Sequence, residues 1–129
     1  MIDIFAIIQI MNAKDLSPAC CAVCEIEQAP PEARDQAVAL FKALADPTRY
    51  DIFRLIAAQP DSICVCHITD RFDVSQPTIS HHLKVLRETG LISVDRRGVW
   101  AYYTADQVGV ERLRGVVGTL APPELIGAA

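Results

Sequence analysis

Two groups of sulfur stand out in this chain of 129 residues: Cys20-Cys21-x-x-Cys24 and Cys64-x-Cys66. Thiolates are soft ligands, and clusters of them suit soft metals and metalloids better than hard cations. The apolar opening from Met1 to Met11 carries Asp3 and has no basic leading region. It is also far short of the roughly 20 apolar residues of a membrane span. That opening either adds apolar surface to the first helices or precedes a start at Met11. With no export signal, a reducing cytoplasm is the expected compartment, and there cysteine clusters are metal sites more often than disulfides.

The elements that must position these thiols follow from the apolar pattern. Half of the residues (51%) are apolar and only 6% are aromatic, which predicts one helix-rich domain large enough for a core. Residues 1–31 read as a cysteine-bearing arm closed by Pro30-Pro31, and 122–129 as a tail. Between them, 32–121 reads as a single domain. Helical spacing of Val38, Phe41, Leu44 and Ala45 predicts a first helix from Glu32. Asp46-Pro47 restarts a helix with Ile52, Phe53, Leu55 and Ile56 on its apolar side, as an N-cap followed by proline does. A short third helix is predicted over Ile63–Phe72. After a turn at Val74–Pro77 comes a fourth, with Ile79, Leu83 and Leu86 inward and Gly90 as its stop. Leu91–Asp95 and Val99–Tyr103 read as a β-hairpin turning at Arg96-Arg97-Gly98. A last helix, Asp106–Leu120, places Val110, Leu113, Val117 and Leu120 at spacings of 3, 4 and 3, the seam of a helix paired with another.

The predicted fold is mainly α with a small β-hairpin, in the order α-α-α-α-β-β-α, which is that of a winged helix-turn-helix. With Ile79, Leu83 and Leu86 turned inward, Gln76, Pro77, Thr78, Ser80, His81 and Lys84 are left to face a DNA groove. Gln reads adenine in a bidentate way, and the hydroxyls and cations serve bases or phosphates. Arg96 and Arg97, at the hairpin tip, would reach the backbone or the minor groove. His81 and His82 lie on this helix and fit DNA contact or packing better than metal. Charge agrees with a local nucleic-acid face. The whole chain has a net charge of −4, yet Arg71–Arg97 carries five bases against three acids, a net of +2.

Two strings, Phe41-Lys-Ala-Leu-Ala-Asp-Pro-Thr-Arg49 and Ser75-Gln-Pro-Thr-Ile-Ser-His-His-Leu-Lys-Val-Leu-Arg87, resemble the ArsR/SmtB metal-sensing repressors. Gly90-Leu91-Ile92 and the Arg96–Tyr103 wing extend the likeness, so that it covers about residues 38–105. The resemblance implies a homodimeric repressor, paired through its first and last helices, that leaves its double-stranded operator when an inducer binds.

Cys64-Val65-Cys66-His67-Ile68 resembles the family's Cys-Val-Cys-Asp-Leu inducer motif. On a regular helix, residues two apart point to nearly opposite sides and do not chelate one ion. If Cys64 is the N-cap, its dihedrals are non-helical and both sulfurs project from one helix end, where the dipole lowers a thiol pKa. Thr69 stands where the arsenic-sensing form has a third cysteine, and His67 replaces its Asp. A third thiolate must then come from Cys20, Cys21 or Cys24. As(III) or Sb(III) takes three thiolates, whereas Cd(II), Pb(II) or Zn(II) commonly takes three or four, and His67 is available to a zinc or cadmium shell. The resemblance places a second inducer site of His and acidic ligands on the last helix, but the predicted helix Asp106–Leu120 holds no histidine, so that site is expected to be absent.

The leading expectation is a cytoplasmic repressor induced by arsenite or antimonite. Cadmium, lead or zinc induction on the same fold is the alternative, and a disulfide redox sensor is the third. No Ser-His-Asp arrangement, phosphate-cradling loop or paired-carboxylate site argues for an enzyme, and no segment argues for a membrane.

Overall fold

In the computed structural model, residues 28–121 and 123–126 are described. Helices α1 (Pro31–Leu44) and α2 (Pro47–Ala57) lead into a two-residue strand β1 (Ile63–Cys64), which runs directly into α3 (Val65–Asp70). Helix α4 (Gln76–Glu88) follows, then strands β2 (Ile92–Arg97) and β3 (Trp100–Ala105). Helix α5 (Gln107–Leu120) and a single turn, α6 (Pro123–Ile126), complete the order. No described helix is long and apolar enough to cross a membrane.

Three helices begin at side chains suited to the task. The Asp46 carboxylate accepts the Arg49 backbone N–H at 2.9 Å, and the Asp106 carboxylate accepts that of Gly109 at 3.1 Å. The Ser75 hydroxyl accepts the Thr78 N–H at 3.4 Å, and Pro77 follows within the first turn. Each such cap contributes about 1 kcal/mol by satisfying an amide that the helix itself leaves unpaired.

Leu40, Ile52, Ile56, Ile68, Ile79, Leu83, Leu86, Leu91 and Ile92 are almost wholly buried and make one core beneath α4 and the sheet. Burying side chains of this size contributes about 2 kcal/mol each relative to exposure. On α1 the core stripe is Leu40 and Ala43; of the predicted stripe of Val38, Phe41, Leu44 and Ala45, Leu44 packs at its margin and Val38, Phe41 and Ala45 do not. Those three residues face outward, with Phe41 38% exposed. Helix α1 therefore carries two apolar stripes, and this fold uses one. On α5, Leu113 and Val116 pack against the core, whereas Val117 and Leu120 extend past it and stay exposed.

The sheet has three antiparallel strands in the order β1-β3-β2. Its third strand was not anticipated, because two residues have no periodicity to read. Ile63 pairs with Tyr103 and Cys64 with Tyr102. The hairpin is also one residue later than predicted. Arg97 pairs with Trp100, so the turn is Gly98-Val99. Gly98 has φ +63° and Val99 has no positive φ, the signs of a type II′ turn with Gly in first place. Arg96 and Arg97 thus belong to β2 and not to the tip.

Candidate functional site

The side chains of β2 and β3 alternate between two faces, and this alternation separates two kinds of chemistry. Arg96, Ala101 and Tyr103 turn toward α4. There, together with Gln76, Ser80, Lys84, Arg87, Val65 and Val99, they line a cleft of about 340 Å³. Three cations, Lys84, Arg87 and Arg96, share this cleft between helix and wing. Lys84 has Glu88 at 3.9 Å, while Arg87 and Arg96 have no ion-pair partner among the described residues. Arg87 was missed by sequence reading, because its place in the cleft depends on where the wing folds back.

The predicted DNA-facing residues Gln76, Pro77, Thr78, Ser80, His81 and Lys84 are all exposed on α4, and Arg96 and Arg97 are exposed on β2. Besides Lys84, two of these have local engagements. The Thr78 hydroxyl shares a 2.8 Å hydrogen bond with the capping hydroxyl of Ser75. Arg97 lies on the opposite face of the wing from Arg96, its Nε donating to Asp95 at 2.9 Å and its guanidinium carbon 4.5 Å from the centre of the Tyr102 ring. His82 is half-buried at the back of the helix, its Nδ1 accepting from Arg49 at 3.4 Å. Arg49 also donates to the carbonyls of Ala43 (2.6 Å) and Lys42 (3.2 Å), the last turn of α1. The Ala-Asp-Pro-Thr-Arg string therefore joins the end of α1, the start of α2 and the back of α4. The Asp46 carboxyl is held below the ordinary carboxylate range, chiefly by the Arg49 backbone N–H and less by the charges of His82 and Arg49.

The other face of the wing meets the thiols. Cys64 is the residue before α3, with φ −68° and ψ 141°, and so has the extended dihedrals of an N-cap. Freed from helical geometry, its sulfur lies 2.8 Å from that of Cys66. Both line a surface depression of about 320 Å³ together with Ser62, His67, Trp100 and Tyr102. The predicted fall in thiol pKa is not found at Cys66, whose thiol is pushed above its ordinary range. The main cause is its hydrogen bond to the Cys64 sulfur, and desolvation adds to it. Helix α3 has only six residues, and its dipole does not offset the hydrogen bond that the protonated Cys66 thiol donates to the Cys64 sulfur. Thr69 Oγ1 donates to the Val65 carbonyl at 2.9 Å and supplies nothing to the depression. Cys20, Cys21 and Cys24 lie outside the described residues.

A three-stranded wing packed beside two helices joined by the turn after α3 makes this a winged helix-turn-helix, the architecture of DNA-binding transcriptional regulators. Comparisons with known proteins narrow that class. The model of bacterial regulatory proteins of the arsR family matches residues 46–94. An uncharacterised HTH-type transcriptional regulator of Methanocaldococcus jannaschii is 43% identical over 72 residues, which cover 56% of this chain and 80% of that protein. The arsenical resistance operon repressor of Bacillus subtilis is 40% identical over 73 residues, 57% of this chain and 69% of its own length. Among solved structures, a possible transcriptional regulator for arsenical resistance superposes with a TM-score of 0.60 at 30% identity, covering 68% of this chain and 90% of that one. A homodimeric winged helix-turn-helix domain from Mycobacterium bovis superposes with a TM-score of 0.56, also at 30% identity, covering 71% of this chain and 85% of that one. The chain belongs to the arsR family: it is a transcriptional repressor, not an enzyme.

Proposed function

We propose that this repressor binds its operator as a homodimer and is released when arsenite or antimonite binds the thiolates of Cys64 and Cys66. One of Cys20, Cys21 and Cys24 supplies the third sulfur a trivalent metalloid needs. The observation that carries this reading is the contact of the two sulfurs, 2.8 Å apart, at the entry to the helix-turn-helix and beside the wing. A ligand there touches the segment leading into α3 and, through Tyr102 opposite Cys64, the strand that forms the wing. In the dimer, the outward residues Val38, Phe41, Val117 and Leu120 become the buried seam, as in the family's pairing through first and last helices. Gln76, Pro77, Thr78, Ser80, His81, Lys84 and Arg96 face the DNA, with Arg97 steadying the wing as well as reaching the backbone.

By linkage, an inducer that weakens operator binding is itself bound less tightly by the operator complex. In a gel shift, arsenite should free the operator from the wild-type protein. Cys64→Ser and Cys66→Ser should keep DNA binding and lose the release. Release that survives in both variants overturns the assignment. A second reading, Cd(II), Pb(II) or Zn(II) in a four-coordinate site, is favoured by His67 on the wall of the same depression. Release by cadmium that requires His67, with no response to arsenite, would establish it instead.

A further inference from the structure

Helix α4 is held from behind by a side chain of α2. The Arg49 guanidinium donates from Nε to the Ala43 carbonyl at 2.6 Å and from Nη2 to the Lys42 carbonyl at 3.2 Å, while Nη1 reaches Nδ1 of His82 at 3.4 Å. The last carbonyls of a helix have no partner within it, so the end of α1 is an acceptor site that a cation suits. A guanidinium carries donors only, which assigns His82 the tautomer with Nδ1 bare and the proton on Nε2. Its fork is planar and rigid, so acceptors on α1 and α4 are held in one arrangement; a lysine ammonium on its flexible stem does not do this. The Asp46 carboxylate, 4.0 Å from Nδ1 of His82, caps α2 through the Arg49 N–H, so one corner anchors three helices. Leu40 and Ala43 of α1 share a core with Leu83 and Leu86 of α4, but apolar burial is non-directional and fixes the rotation of a helix less sharply. A side-chain tip about 5–6 Å from the helix axis moves about 1 Å for a turn of about 10°. That shift spoils hydrogen bonds to base edges, which hold at about 2.7–3.2 Å, whereas attraction to phosphates survives it.

We infer that Arg49 and His82 are positioning residues for operator recognition. Their bond fixes the rotation of α4 relative to α1, and with it the aim of Gln76, Ser80 and Lys84 at base edges. The His82 side chain is only 12% exposed, so it acts through the helix and not by touching DNA. In a dimer paired through α1, the same joint in both protomers also sets the angle between the two DNA-reading helices. This rests on the reading of α4 as the DNA-facing helix and of α1 as part of the dimer seam. Phosphate contacts give affinity for any duplex and base contacts give sequence preference, so the joint governs the ratio of operator to unrelated binding.

The test uses the full chain and two probes: the duplex that the wild-type protein selects from a random-sequence pool, and a scrambled duplex of the same composition. Fluorescence anisotropy at one salt concentration gives both affinities. His82→Leu fills the space and removes the acceptor. It should weaken binding to the selected duplex roughly tenfold, the worth of one base contact, with scrambled binding within about twofold of wild type. His82→Asn places an amide oxygen near the position of Nδ1 and should restore most of the ratio. A residue that merely supported folding would behave otherwise, because loss of folded protein lowers both affinities together. Arg49→Lys keeps the charge and loses the fork. It should lower the ratio alike, and adding His82→Leu to it should cost nothing further, as for two residues acting as one unit. The proposal is overturned by a ratio unchanged in His82→Leu, by equal losses in His82→Leu and His82→Asn, or by losses that simply add in the double variant. The two His82 variants decide the matter even if Arg49→Lys does not fold. Wild-type protein that enriches no duplex defeats the DNA-facing reading beneath the proposal; a wild type that enriches one, with variants of unchanged ratio, defeats the joint alone.

Discussion

Gly109 offers a quantitative test of how α5 is fastened to the rest of the domain. A Cβ added there would lie 1.9 Å from the Gly90 carbonyl oxygen, 2.7 Å from its carbon and 3.1 Å from the Leu91 Cα. All three are backbone atoms, so no side chain can swing away. The start of α5 must move off the α4–β2 turn, straining the 2.9 Å bond from the Asp106 N–H to the Leu91 carbonyl and the Asp106 cap on Gly109. Overpacking of this kind costs about 1–3 kcal/mol, and each weakened hydrogen bond costs up to about 1 kcal/mol more. Against this, Ala favours helix over Gly by about 1 kcal/mol. Gly109→Ala should therefore destabilise the protein by about 2 kcal/mol, or about 8 °C in Tm for a chain of this size. Gly115→Ala is the control. It lies in the same helix with nothing within 4 Å of its added Cβ, and should gain up to about 1 kcal/mol. Thermal unfolding at one fixed protein concentration measures both, since the proposed dimer would make stability depend on concentration. A Gly109→Ala protein as stable as wild type would refute the close-approach argument.

Two further outcomes follow from the node at Asp46 and from the cationic cleft. Asp46→Ala removes the α2 cap and should cost about 1 kcal/mol in urea unfolding. Because the folded-state pKa of Asp46 is depressed, its stabilising contribution is present above the ordinary carboxylate value of about 4 and is lost as pH falls through the lower folded value. The wild-type and Asp46→Ala stabilities should therefore converge at acid pH, and a gap unchanged down to pH 2 contradicts the cap's ionic character. Arg87→Met keeps the side chain's apolar stem in the α4–wing cleft and removes its charge. If Arg87 holds a phosphate, the slope of log affinity against log salt should become shallower by about 0.9, with affinity lost equally on operator and unrelated DNA. An unchanged slope places Arg87 off the DNA.

Much of the fold is written in local chemistry. Asp46-Pro47 and Ser75-Gln76-Pro77 specify helix starts because capping oxygens and a proline's fixed φ act over three or four residues, and both appear where the pattern predicts. The inward trio Ile79, Leu83 and Leu86 is likewise a matter of helical period, and all three are buried. The stripe on α1 is legible only in part: Val38, Phe41, Leu44 and Ala45 are apolar at helical spacing, but so are Leu40 and Ala43, and only Leu44 of the predicted set reaches the core. Period alone does not say which of them meet the core.

The candidate site divides in the same way. Residue types and spacing put Cys64 and Cys66 together and gave α4 a polar face. Cys64 as helix cap is only a condition for shared chelation at that level, because the predicted helix begins at Ile63 and the observed one begins at Val65. Tertiary structure decided what surrounds them. The two-residue strand at Ile63–Cys64 exists only because β3 is there to pair with it, and that pairing brings Tyr102 and Trp100 to the thiols. The same strand alternation sends Arg96 toward α4 and Arg97 toward Tyr102, although the two are neighbours in the chain. Caps and periods are short-range and can be read along the chain, whereas the walls of a pocket are long-range partners, set only when the wing folds back against α3 and α4.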